Sequence, residues 1–188
     1  MSIPEVSSRN RLLAFLERNV RTLANLNYRG PGAVVGCRRY TSADETSFST
    51  TSTSLEYVDG AGDKVSLTFE APPSGIVEVD CSVMCNTYQD KYGIMGLSDN
   101  GSTWATYTPI GDPTDTVVRV FYADNTDIPY ATARWVLPGL TPGQSYTFYL
   151  GFATTNADGA FNIRWGTFWG SLIFKATALP ATTVLTDS

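Results

Sequence analysis

Trp135-Val136-Leu137-Pro138-Gly139-Leu140-Thr141-Pro142-Gly143-Gln144-Ser145-Tyr146-Thr147-Phe148-Tyr149-Leu150 reads as strand, tight corner, strand. An apolar run stops at Pro-Gly, and a second Pro-Gly comes two residues later. Tyr146, Phe148 and Leu150 then alternate with outward positions, the period-two signature of a half-buried strand. Leu140 to Tyr146 has the spacing of a tyrosine corner, in which a Tyr hydroxyl bonds to backbone a few residues upstream and fixes the crossover. The stretch therefore predicts an antiparallel β-sandwich.

Working outward, the same alternation recurs. Upstream, Ala71-Pro72-Pro73-Ser74-Gly75 is a rigid corner. After it, Ile76, Val77, Val79, Cys81 and Val83 face one way, while Glu78, Asp80 and Ser82 face the other. Further strands are expected at 33–40, 92–97, 104–110, 117–122, 130–137, 145–153, 161–165 and 171–177. Leu55-Glu56-Tyr57 is expected to pair with Val65–Phe69 across a turn at 59–63. Residues 41–54 read as a polar loop or an exposed edge. About ten strands with no helix between them predict a two-sheet sandwich of jelly-roll type.

The N-terminus reads differently. Leu13, Leu16, Val20 and Leu23 step by three, four and three, which predicts an α-helix over about 9–28 with an apolar seam. Gly30-Pro31-Gly32 ends it. At about 30 Å this rod is too short to be stable alone, so its seam needs a partner. The expected organisation is a tail and anchoring helix over 1–32, a sandwich over 33–180 and a tail over 181–188.

Composition narrows the function. Of the 188 residues 43% are hydrophobic and 12% aromatic, enough for a core. Residues 1–39 carry seven Arg and two Glu, net +5, whereas 40–188 carry six basic and sixteen acidic residues, net −10. A basic arm, with Arg11, Arg18 and Arg21 beside the seam, suits an acidic surface such as the body of a neighbouring subunit. There is no histidine, which removes Ser-His and Cys-His nucleophile pairs and His metal sites. Cys81 and Cys85 share a strand face but sit roughly 13 Å apart at strand rise, too far to bridge. Reduced thiols fit a reducing cytoplasm.

Acids are scattered, as at Asp59/Asp63, Asp112/Asp115 and Asp124/Asp127, in pairs that suit turn capping better than calcium. No phosphate-binding glycine loop is present. The expectation is a non-enzymatic protein with no catalytic, cofactor or metal residues. No apolar run is long enough to span a bilayer, and neither a membrane nor a nucleic acid is expected as a partner. Trp165-Gly166-Thr167-Phe168-Trp169 stands out at an expected turn, where Trp165, Phe168 and Trp169 form an interface, a sugar-stacking surface or part of the core.

Three segments carry a resemblance: Leu67–Val77, Leu140–Leu150 and Ile163-Arg164-Trp165-Gly166, together spanning roughly residues 65–177. In them the chain resembles tailed-bacteriophage virion proteins in which a β-sandwich follows a short N-terminal helix, as in fibres, head fibres and capsid decorations. That resemblance implies a structural role, a homotrimer, contacts with other virion proteins, and a place in a particle assembled in the host cytoplasm. A carbohydrate-binding module, for instance for host-surface glycans, is the alternative function class.

Overall fold

The computed structural model describes residues 30–41, 46–60, 63–87, 92–103, 105–107, 117–120, 130–155 and 159–181. The expected anchoring helix, with Leu13, Leu16, Val20, Leu23, Arg11, Arg18 and Arg21, lies outside them, as does the C-terminal tail after 181.

Thirteen strand segments form, and no helix occurs among the described residues. In chain order they are β1 (Val34–Tyr40), β2 (Thr46–Thr50), β3 (Glu56–Tyr57), β4 (Asp59–Gly60), β5 (Asp63–Lys64), β6 (Ser66–Glu70) and β7 (Val77–Thr87). Then come β8 (Gly93–Ser98), β9 (Val117–Val120), β10 (Tyr130–Leu137), β11 (Ser145–Thr154), β12 (Phe161–Trp165) and β13 (Leu172–Ala178). All pairings are antiparallel.

The register simplifies the picture. Met84 on β7 pairs with Tyr130 of β10 and with Arg164 of β12, so these flank β7 on opposite sides. Ser82 pairs with Thr132 of β10 and Ile173 of β13, which puts β13 on the β12 side. Thus β12 and β13 are one strand interrupted by residues 166–171. Outside that strand, β2 and β1 run in turn along it. The front sheet is therefore β1/β2, β13/β12, β7, β10. By the same logic β3 and β6 lie on one flank of β11, and β8 then β9 on the other, giving a back sheet of β3/β6, β11, β8, β9. Counted this way there are eight strands. The first, eighth, third and sixth form the front sheet and the second, seventh, fourth and fifth the back, the winding of a jelly roll.

The inward faces fill one core. Val77, Val79, Cys81, Val83 and Cys85 of β7 meet Phe148, Leu150 and Phe152 of β11 within a single buried cluster. Phe148 is fully buried, with Tyr107 edge-on to its ring at 4.8 Å. At one edge β1 closes onto β6, where a side chain at Gly36 would meet Phe69 Cβ at 2.7 Å. There Tyr40 Oη donates to the Ser66 carbonyl (2.8 Å) and accepts from the Ser66 N–H (2.6 Å).

The two corners read from the sequence dock on each other. Ala71 N–H donates to Gln144 O and Gly143 N–H to Ala71 O, while Leu140 N–H donates to Gly75 O at 3.0 Å. Gly75 (φ 67°) lies in the left-handed region, and a Cβ there would sit 2.6 Å from Leu140 O, so only glycine fits. The tyrosine corner forms as expected: the Thr141 N–H donates to Tyr146 Oη at 2.9 Å.

Three expectations are corrected. Residues 105–107, inside the strand expected over 104–110, are not extended strand. β3 and β6 do not pair with each other; both pair with β11, and the turn between them holds its own small hairpin, β4 with β5. β7 runs to Thr87 because β12 continues its ladder beyond Val83. The polar segment after 41 resolves in favour of the edge reading at β2, against β12.

Candidate functional site

The outer face of the front sheet is built by alternation and register. Glu78, Asp80, Ser82, Met84 and Asn86 point outward from β7. Antiparallel pairing sets Thr132 beside Ser82 and Arg134 beside Asp80 from β10, and Ile173 and Lys175 beside the same two residues from β13. Beyond β13, β1 adds Cys37 opposite Lys175 and Arg39 opposite Ile173. β12 adds Arg164 opposite Met84. Four strands at about 4.8 Å spacing make this face roughly 14 Å wide.

Asp80 is its electrostatic centre. Only 6% exposed, it places Oδ1 2.8 Å from Arg134 Nε and Oδ2 3.2 Å from Lys175 Nζ. Glu78 adds a longer contact to Arg134 at 3.6 Å. The hydrogen bond and charge of Asp80, with Glu78 behind it, raise the Arg134 pKa above its ordinary value. A buried carboxylate is tolerable because both oxygens are matched by cations whose outer sides stay wet. Over this centre lies an open depression of about 410 Å³ lined by Asp80, Ser82, Thr132, Arg134, Ile173 and Lys175. Its polar floor includes the Ser82 and Thr132 hydroxyls, 2.8 Å apart.

Aromatics stand at one end. Tyr130 is half exposed, and its hydroxyl donates to the Ser171 carbonyl at 2.8 Å, which holds its ring across the sheet. Burial raises its phenol pKa, with Cys81 adding to the rise and Arg39 opposing it. Arg39 Nε donates to Ser171 Oγ at 2.7 Å. The 166–171 excursion, pinched by Gly166 N–H to Gly170 O at 2.8 Å, lays the Trp169 ring 5.1 Å from the Arg164 guanidinium carbon. Phe168 at its tip is 83% exposed.

Of the three aromatics singled out in the sequence, Trp165 lies in the core, 4.8 Å from Phe48 and 6.0 Å from Tyr40 between ring centres. It faces inward because it continues the Phe161, Ile163 alternation of β12. Phe168 and Trp169 remain at the surface. Sequence reasoning missed Asp80, Arg134 and Lys175; their signal was three charges at outward positions of neighbouring strands, Asp80 on β7 and Lys175 on β13 inside the sheet and Arg134 on the edge strand β10, where opposite charges pair across strands.

The outer face of the back sheet is covered at one end, while Thr68 beside Thr147 stays exposed. Tyr57 Oη donates to Asn100 O, Lys64 Nζ donates to Gly101 O, and Lys64 lies 3.8 Å from the centre of the Tyr57 ring. The 98–103 turn thus lies over Tyr57 and Tyr149. Among the described residues no group of three or more Cys, Asp or Glu side chains is placed to hold a metal ion.

No protein-family model matches the sequence, and no curated protein matches it. Among solved structures the chain is similar to the CBM22-1 xylan-binding domain from Paenibacillus barcinonensis Xyn10C. The identity is 12% and the TM-score 0.36, over 81% of this chain and 99% of that domain. A likeness of that size decides neither fold nor ligand.

Proposed function

We propose that the protein is a glycan-binding β-sandwich that holds an extended saccharide along the outer face of its front sheet. The observation that carries this is the 410 Å³ depression, with Asp80, Arg134, Lys175, Ser82 and Thr132 on its floor and the half-exposed Tyr130 ring beside it. A sugar presents hydroxyls at its rim and C–H groups on its ring faces. Fixed polar side chains beside an aromatic ring match both. Binding without chemistry is the simplest use of this face, since both Asp80 oxygens are committed to cations.

The test is affinity electrophoresis of the full chain through gels containing soluble polysaccharides. Retardation by at least one glycan, lost in Tyr130→Ala with the melting transition kept, is the expected result. Mobility unchanged across a broad glycan panel, or retardation that survives Tyr130→Ala, overturns the reading.

A second reading, the trimeric virion component that the resemblance implies, is favoured by exposed apolar side chains: Phe168 at 83% and Val34 at 57%. Light scattering that gives a trimer, and a monomer for Phe168→Ser, would support its trimeric part, and a monomeric wild type would overturn that part. The two readings coexist in a receptor-binding fibre whose assembly contacts leave the front-sheet depression open.

A further inference from the structure

We infer that the saccharide taken by this face is acidic, carrying carboxylate or sulfate groups, and that Arg39 and Arg164 recognise those anions. The inference rests on the glycan reading above and narrows it.

Charge is the first argument. Of the six described Lys and Arg side chains, four lie on the outer face of the front sheet: Arg39, Arg134, Arg164 and Lys175. Among the described residues only Glu78 and Asp80 oppose them there, leaving the described face at +2 on a chain of net −5. A positive face on an acidic body concentrates anions there and repels them elsewhere.

Pairing is the second. Arg134 and Lys175 are neutralised by Asp80 and Glu78. Among the described residues Arg39 and Arg164 face no carboxylate: Arg39 holds only the Ser171 hydroxyl, and Arg164 lies against Trp169. The Arg164 Nε is buried with no hydrogen-bond partner. Nearby on the same face Asn86, 5% exposed, has an equally unpartnered Oδ1. A buried donor and a buried acceptor left open on one face are each costly, and they mark this end of the sheet as the place where polar groups are not matched within the described residues. Arg39 and Arg164 stand on adjacent strands in adjacent rows, next to the Tyr130 ring, and a guanidinium fork suits carboxylate and sulfate oxygens.

Nucleic acid, the other common polyanion with stackable rings, fits less well. Its binders are strongly basic, whereas this chain has a pI near 4.6 and carries only +2 on the face.

Calorimetric titration of the full chain against oligosaccharides of equal length tests this: one neutral, one bearing uronates, one sulfated. Inorganic sulfate and a single-stranded oligonucleotide are the remaining arms. An acidic oligosaccharide should bind at least about tenfold tighter than the neutral one, with affinity falling as salt rises. Whether uronate or sulfate leads identifies the anion, and either supports the inference. Arg39→Gln and Arg164→Gln should each reduce the acidic-over-neutral ratio by roughly tenfold, the scale of a charge-assisted hydrogen bond. Because Arg164→Gln risks misfolding, wild-type protection supplies a second readout: the exposed Cys37, opposite Lys175, should react several-fold more slowly with a thiol reagent when the acidic sugar is bound. Equal affinity for neutral and acidic sugars overturns the inference and leaves the glycan reading standing. So does a ratio unchanged in both variants, or inorganic sulfate binding as tightly as the sugar. A tighter oligonucleotide overturns it in favour of nucleic acid. If no saccharide binds at all, the glycan reading itself fails.

Discussion

Tyr146 Oη accepts the Thr141 N–H across the corner that joins β10 to β11, and its ring stacks along Phe148 at 6.4 Å between centres. Replacing Tyr146 with Phe keeps the ring and removes one hydrogen bond. Stability measured by chemical denaturation should fall by about 1 kcal/mol; a value within error of zero would show that the corner is held by its Pro-Gly turns alone. The cysteines give a second residue-scale prediction. Cys81 and Cys85 face the core, and burial pushes both thiols up, Cys85 to about 12. Since the thiolate is the nucleophile, one equivalent of thiol reagent should react with the native protein at pH 8, at Cys37, and three after denaturation. A second fast-reacting thiol in the native protein would place one of the β7 cysteines outside the core.

At the scale of elements, the front sheet depends on the ladder between β7 and β10, and the Asp80 ion pairs are its outer counterpart. Arg134→Gln leaves the buried carboxylate with Lys175 alone. The fold should persist with a loss on the order of 1–2 kcal/mol, more than for an exposed pair because one partner is buried. No measurable change would mean the pair is as weak as an ordinary surface contact. The elements that were legible in the sequence are those with one face in the core: β7, β10, β11 and β12 alternate cleanly, and β10 and β12 were bounded to the residue. β2 was legible only as one of two options because Thr46-Ser47-Phe48-Ser49-Thr50 is a polar edge strand with a single large apolar residue. The splitting of one strand into β12 and β13 was not legible, since an excursion between two strand pieces looks in sequence like any turn between neighbours.

For the whole molecule, the described strands of the two sheets already close a core between them. Deleting residues 1–29 should therefore leave the melting temperature within about 3 °C, a change worth less than roughly 1 kcal/mol for a domain of this size. Cooperative unfolding lost on truncation would make the N-terminal segment part of the domain. The architecture could be read from the period of the pattern. The candidate site could not, because Asp80, Arg134 and Lys175 meet only through the pairing of β7 with β10 and β13, and alternation gives the face of each residue but not its cross-strand neighbour.

The central claim, that the outer face of the front sheet is the ligand surface, is tested most directly by backbone amide chemical-shift mapping during titration with a bound oligosaccharide. The shifts should cluster at Arg39, Ser82, Tyr130, Thr132, Arg164 and Ile173 and leave Thr68, Thr147 and Tyr149 of the back sheet unmoved. Shifts centred on those back-sheet residues, or confined to the 98–103 turn, would contradict it.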